Sequence, residues 1–216
     1  MQVSRVMRSK EDARRSYDRL SRWYDALAGS SERRYRELGL QLLQAQPGEQ
    51  VLEIGFGTGH AILALCRAVG ATGQVAGVDL SPGMAAITQQ RLQQAGLHAD
   101  LRVGDALALP FEAQSFDAVF MSFTLELFDT PEIPAVLEQC RRVLRPGGRL
   151  GLVTLVKQPG LAVRIYEWFH RVWPAAVDCR PILAQQSLRQ AGFAIGECRA
   201  LSMWGLPVEI LIGTPG

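Results

Sequence analysis

The sequence predicts an α/β protein, a doubly wound and mostly parallel sheet that ends in an antiparallel pair of strands. Three observations predict it. Short apolar runs alternate with helical patterns from residue 47 to residue 156. The run at 116–121 is dominated by apolar residues, as in a strand covered on both faces. Two further strand-like runs close the chain with only a short link between them. Strict alternation implies right-handed crossovers and hence a parallel sheet.

The elements follow in order. Tyr17, Leu20, Trp23, Tyr24 and Leu27 recur at helical spacing, and Gly29-Ser30-Ser31 ends that first helix. Residues 35–44 read as a second helix, and Pro47-Gly48 turns the chain into a buried strand, Gln50–Ile54. A helix at 61–69 leads to the strand Gln74–Asp79. The next helix, Pro82–Ala95, has Ser81 as its N-cap and Pro82 in its first turn. Residues 101–104 and 116–121 are the third and fourth strands. A helix at 131–144 is closed by Pro146-Gly147-Gly148, and 149–156 is the fifth strand. Beyond it come an aromatic helix, Leu161–Val172, a loop at 174–181 and a short helix at 185–191. Strands at 194–201 and 207–213 bring the sheet to seven and form its antiparallel edge pair. Residues 1–46 are expected to be a helical lid, and 47–216 a single globular unit in which a helical insert, 157–186, shapes a second pocket.

Composition fits this picture. The chain has 216 residues, 48% hydrophobic and 20% charged, which is the globular range. A net charge of +2 argues against a general nucleic-acid binder. Charge is uneven, however: residues 1–36 hold ten Arg or Lys against five acids, and the rest of the chain is mildly acidic. A basic leading segment suits either an anionic membrane surface or a solvated helix face. The four cysteines, at 66, 140, 179 and 198, show neither CxxC pairing nor metal-ligand spacing, so free thiols and no metal are expected. Residues 1–20 lack an apolar leader, and no apolar run nears the ~18 residues of a spanning helix. The expectation is a cytoplasmic protein, at most peripheral to a membrane.

The chemistry concentrates at strand ends, where doubly wound sheets bind ligands. The first strand runs into Gly55-Phe56-Gly57-Thr58-Gly59. Glycines there let the backbone turn sharply, approach a ligand without a Cβ in the way, and aim amide hydrogens from a helix start. A dinucleotide fingerprint would need glycine at 60, where His60 stands, and no GK[ST] follows, so the loop is not a P-loop. Asp79 ends the second strand, where a carboxylate accepts both hydroxyls of a ribose. Asp105, in Gly104-Asp105-Ala106, ends the third, where it could accept from an exocyclic amine. Together they describe a nucleoside site without a pyrophosphate clamp.

Four blocks, VLEIGFGTG, VAGVDLSPGM, VGDALALPFEAQSFDAVFMSF and RRVLRPGGRL, resemble in order and spacing those of class I S-adenosylmethionine-dependent methyltransferases, over about residues 47–156. YDRLSRWYDAL near the start is similar to the ubiquinone and menaquinone biosynthesis methyltransferases and their small-molecule and phospholipid relatives. The resemblance implies a Rossmann-like fold with S-adenosylmethionine as cofactor and S-adenosylhomocysteine as product. It implies that Glu53 and the backbone of Gly55, Phe56, Gly57, Thr58 and Gly59 hold the methionine part. Asp79 would bind the ribose, with Leu80 and Met84 packing near the adenine. Asp105 would contact its amine, with Ala106 supplying backbone beside it and Gly104 also among the cofactor-binding residues; Met121 and Ser122 would lie near the amino-acid end, and Tyr24 would close over the sulfonium.

An acceptor that must lose a proton needs a base, and the candidates are Glu126, His170 and Tyr166. Each has a structural reading beside the catalytic one, a core or surface histidine in the case of His170. No Asn-Pro-Pro-Tyr block follows the fourth strand, which speaks against nucleic-acid bases as acceptors. The aromatic insert and the loop Val177-Asp178-Cys179-Arg180 suit a small hydrophobic or amphiphilic acceptor, such as a quinone precursor or a lipid. A phospholipid-headgroup N-methyltransferase is the alternative within the enzymes. A regulatory protein that binds S-adenosylmethionine is the alternative outside them.

Overall fold

The computed structural model describes residues 5–6, 11–12, 14–15, 18, 30–172 and 179–216. The aromatic stripe Tyr17, Leu20, Trp23, Tyr24 and Leu27 lies outside the described residues, as do Trp173, Val177 and Asp178.

Among the described residues the first long helix is α1 (Ser30–Leu43), which starts five residues before the expected 35, with Ser30 and Ser31 in its first turn. It lies flat on the sheet through Tyr35, Leu43 and Gly39. A Cβ at Gly39 would stand 2.5 Å from Val153 Cγ2, so glycine sets the closeness of that packing. At its end, Arg149 donates to the carbonyls of Leu43 and Gln44 and pairs with Glu49 at 2.7 Å. A cation there satisfies the orphan carbonyls of a helix terminus.

Then strands and helices alternate as expected: β1 (Gln50–Ile54), α2 (His60–Val69), β2 (Gln74–Asp79), α3 (Pro82–Ala95), β3 (Asp100–Val103), β4 (Phe116–Ser122), α4 (Ile133–Val143) and β5 (Leu144–Leu155). Ser81 caps α3, its Oγ accepting from the Met84 amide at 3.1 Å, and Gly96 closes the helix at φ 64°. One junction differs from the expectation. Pro146-Gly147-Gly148 does not end a helix before a loop. The chain passes from α4 directly into β5, and 145–148 form a bulge between the pairs Phe116–Leu144 and Ala118–Arg149. Gly147, at φ 78°, permits it.

After α5 (Leu161–Val172) and α6 (Ala184–Gln190), β6 (Phe193–Met203) and β7 (Leu206–Pro215) form a hairpin. The sheet order is β3-β2-β1-β4-β5-β7-β6, with the first five strands parallel and β7 inserted antiparallel beside β5. Alternate side chains serve opposite faces. Leu52, Ile54, Val119, Met121 and Leu152 pack with α4 and α6. Val51, Val75, Phe120, Val153 and Ile210 pack with α1, α2 and α5. Both faces being covered, the carboxyl ends of β1, β2, β4 and β5 meet along one rim. Among the described residues no helix is long and apolar enough to cross a membrane, and no group of His, Cys, Asp or Glu could hold a metal ion.

Candidate functional site

The glycine loop is held by the strand ends around it. The Gly55 amide donates to Val78 O at 2.7 Å and that of Gly59 to Phe56 O at 2.9 Å. Gly55, Gly57 and Gly59 all have left-handed φ, at 72°, 51° and 84°. Their glycines are required for different reasons. A Cβ at Gly55 would lie 2.4 Å from Thr124 Cγ2, and one at Gly59 would lie 2.5 Å from Thr88 Cγ2. A Cβ at Gly57 would meet nothing within 4 Å, because its Cα faces the open side of the loop.

Asp79 is the hinge of this arrangement. Its Oδ2 accepts from the Gly57 amide at 2.8 Å and its Oδ1 from the Ser81 amide at 2.9 Å. The carboxylate thus ties the glycine loop to the start of α3, and each oxygen keeps a second lone pair for a hydroxyl. Burial raises its pKa, with the Asp18 carboxylate adding to the rise, against the lowering effect of the Ser81, Gly57 and Leu80 amides. Thr88 Oγ1 donates to Gly57 O, and Arg91 Nη1 donates to Thr58 O, both at 2.9 Å. Asp18, from the basic leading segment, reaches the same helix start. Its Oδ1 accepts from Ser81 Oγ at 2.6 Å and from the Gly83 amide at 3.0 Å.

Glu53 stands one residue before the end of β1, buried, with Oε2 lacking any partner. Burial pushes its pKa up to about 8. Just beyond β3 the Gly104 amide donates to Asp79 O, and Asp105 Oδ1 accepts from the Leu107 amide at 3.0 Å. The structure therefore brings Glu53, Gly55, Gly57, Thr58, Gly59, Asp79, Leu80, Gly104 and Asp105 to three adjacent strand ends. The Phe56 side chain turns away, under Gly77, and Met121 and Met84 are core side chains, while Ala106 is buried in the turn after Asp105. Ser122 is half-buried, with its carbonyl accepting from Thr124 Oγ1. Tyr24 lies outside the described residues.

Glu126 sits in the 3-10 turn Leu125–Leu127 and is fully enclosed. Its Oε1 accepts from the Leu155 amide at 3.1 Å, and Thr154 Oγ1 lies 2.9 Å from Oε2 and 3.2 Å from Leu155 O. Burial drives the pKa of Glu126 to about 8. A neutral carboxyl suits the network, since one threonine hydrogen cannot serve two acceptors, and a protonated Oε2 frees it for Leu155 O. Tyr166 and His170 lie on α5. Tyr166 packs against the core, and His170 is buried at 6% exposure. Between that helix and β5, Lys157 pairs with Glu167.

Residue patterns alone did not single out Asp18, Thr88 or Thr124. No sequence signal marks a side chain whose role is to touch a loop thirty or more positions away. A surface cleft of about 350 Å³, lined by Gln50, Gln74, Asp100, Arg102 and Pro110, opens at the opposite, amino ends of the strands and shares no residue with the glycine loop.

The family model described as a methyltransferase domain matches residues 51–148. The chain is 35% identical to the 2-phytyl-1,4-naphtoquinone methyltransferase of Synechococcus elongatus over 64% of its own length and 58% of that protein. It is 36% identical to the nocamycin O-methyltransferase of Saccharothrix syringae over 67% of its length and 51% of that protein. The matched stretches thus span little more than half of these curated relatives. Among solved structures, the [4+2]-cyclase SpnF superposes with a TM-score of 0.79 over 99% of this chain and 98% of the other, at 21% identity.

Proposed function

Since this chain carries a class I S-adenosylmethionine-dependent methyltransferase domain, similar to that of the quinone methyltransferases, we propose that it methylates a small hydrophobic or amphiphilic acceptor of the quinone-precursor kind. The observation that carries the reading is the joint geometry of Asp79 and Gly57. One carboxylate fixes the glycine loop and keeps lone pairs for a ribose, while the loop's open face has no Cβ. The orphaned Oε2 of Glu53 beside it suits a cationic group. These residues fit S-adenosylmethionine.

When bound, the cofactor supplies an activated methyl on a good leaving group. The chain's share is to align and to exclude water. Gly55, Gly57 and Gly59 give backbone contact, Asp79 takes the ribose, and Asp105 with the backbone of Ala106 takes the adenine edge. Leu80 and Met84 pack beside it, and Ser122 with the backbone of Met121 lies at the amino-acid end. We assign Glu126 the task of positioning the end of β5, and leave Tyr166 and His170 as the candidates on the acceptor side. Of the expected lid over 1–46, residues 30–43 pack on the sheet as α1, and a lid role is kept for the segment before them, a reading supported by Asp18 at the start of α3 and by Arg5 on Asp129 at 2.6 Å. Tyr24 would belong to that lid.

A second reading, methylation at a lipid surface, has an observation of its own. On α5 the side chains of Leu161, Ile165, Trp168, Phe169 and Val172 form one stripe that faces outward, while Val163 and His170 face in. An apolar stripe beside exposed Arg164 suits an amphipathic contact with anionic lipid. The fold alone does not decide chemistry, because a cyclase shares it.

The test is direct. S-adenosylhomocysteine is expected to raise the melting temperature while NAD does not, and labelled methyl from S-adenosylmethionine is expected to enter the quinone or lipid fraction of a lysate. Equal shifts with both ligands would overturn the cofactor assignment. Label confined to polar metabolites would overturn the acceptor class.

A further inference from the structure

Arg180 has no measurable exposure. Only its Nη2 is satisfied, donating to the carbonyl of Phe128, and Nε and Nη1 have no partner. The backbone fixes it there. Ile182 forms a parallel bridge with Val156, its amide donating to Leu155 O at 3.1 Å while its carbonyl accepts from Lys157 at 2.9 Å. The segment from Arg180 to Ile182 therefore runs along the end of β5. Phe128 directly follows the turn Leu125–Leu127, and Thr124 at the other end of that turn packs on Gly55. The carbonyl that anchors the guanidinium thus lies at the opposite end of that short turn from the residue that packs on the glycine loop.

A guanidinium keeps its charge, and burying it carries a heavy desolvation cost unless an anion is paired with it. The carboxyls of Asp129 and Glu126 attract it electrostatically but make no hydrogen bond to its free Nε and Nη1. Asp129 gives both oxygens to Arg5 Nε and accepts as well from the Val6 and Thr130 amides. Glu126 is engaged with Thr154 and the Leu155 amide. Hydrogen-bond capacity is left over on Arg180, beside the carboxyl end of β5.

We propose that Arg180 anchors an oxyanion of the methyl acceptor, so that the substrate is a planar acidic molecule (a carboxylate, enolate or phenolate) rather than an amine or a neutral ring. The inference rests on the methyltransferase reading above and adds the acceptor's charge to it.

The test uses the full chain saturated with S-adenosylhomocysteine and two probes of one shape, 1-hydroxy-2-naphthoate and its neutral amide, measured by calorimetry. The carboxylate is expected to bind at least tenfold more tightly than the amide. Arg180→Gln should abolish that preference, and Arg180→Lys should retain part of it. S-adenosylhomocysteine affinity should stay within about twofold in both variants, which also shows that they fold. Equal binding of the two probes to the unaltered protein, binding of neither at millimolar concentration, or a preference that survives Arg180→Gln would each overturn the anchor. Failure of the unaltered protein to bind S-adenosylhomocysteine would instead overturn the cofactor reading on which the proposal stands.

Discussion

Gly55 and Gly57 look alike in sequence and differ in what surrounds them. Both have left-handed φ, which costs an alanine about 1–2 kcal/mol. At Gly57 that is the whole structural cost, because nothing stands within 4 Å of the added methyl. Gly57→Ala is thus expected to lower the melting temperature by a few degrees and S-adenosylhomocysteine affinity by tenfold or more. Gly55→Ala adds a collision with Thr124 and should be the less stable protein, partly restored by Thr124→Ser. Thermal denaturation and calorimetry on the three variants check this, and indistinguishable stabilities for the two alanine variants would refute it. Glu53 provides a second residue-scale expectation. Burial holds it protonated up to about pH 8, and a cationic ligand group beside it favours the ionised form. Binding should then release a proton, so affinity should tighten as pH rises from 6 toward 8, by at most about tenfold per unit. In Glu53→Gln this dependence should vanish. The glycine spacing and Asp79 were legible in the sequence because turns and strand ends are local features. The orphaned oxygen of Glu53 was not, since it depends on neighbours from other strands.

At the scale of elements, helix α5 shows how a pattern can be read correctly and its direction left open. The spacing of its apolar residues announces an amphipathic helix. It does not say which face meets the body. In the structure the inner face carries Val163, Tyr166 and His170, while Trp168, at 54% exposure, points outward. Trp204, in the β6–β7 turn, is 79% exposed, and the adjoining Gly205 approaches Ala162 of α5, so the two tryptophans belong to one side of the molecule. Trp168→Ser together with Trp204→Ser should leave the melting temperature unchanged and reduce sedimentation with anionic liposomes several-fold. Undiminished sedimentation would remove this face from the lipid reading. The junction of α4 with β5 shows a related limit. Pro146-Gly147-Gly148 has the composition of a loop, and pairing with β4 makes it a bulge.

For the molecule as a whole, the buried carboxyls set the response to pH. Glu53 and Glu126 have folded pKa values near 8, above their ordinary values, so the native state binds more protons than the unfolded chain between about pH 4.5 and 8. Stability from these groups is full below that window and is lost as pH rises through it. Asp129 works in the opposite sense. Arg5 and backbone amides hold it near 2, so its contribution is present above the ordinary aspartate range and disappears in acid. The melting temperature should therefore fall from pH 5 to pH 8, and Glu126→Gln, which preserves the shape of the network, should flatten the slope. A melting temperature that rises over that range in the unaltered protein would contradict the burial of both groups. The sequence by itself determined the succession of strands and helices along the chain and the place of a nucleoside site at the strand ends, because periodicity, caps and glycine positions are properties of neighbouring residues, and the resemblance of four sequence blocks added the kind of cofactor. The tertiary structure alone decided that Thr124 demands Gly55, that Glu126 is enclosed, that α5 turns its apolar stripe outward, and that Arg180 stands buried with donors to spare. Those facts come from desolvation and from contacts between segments far apart in the chain, which no local pattern encodes.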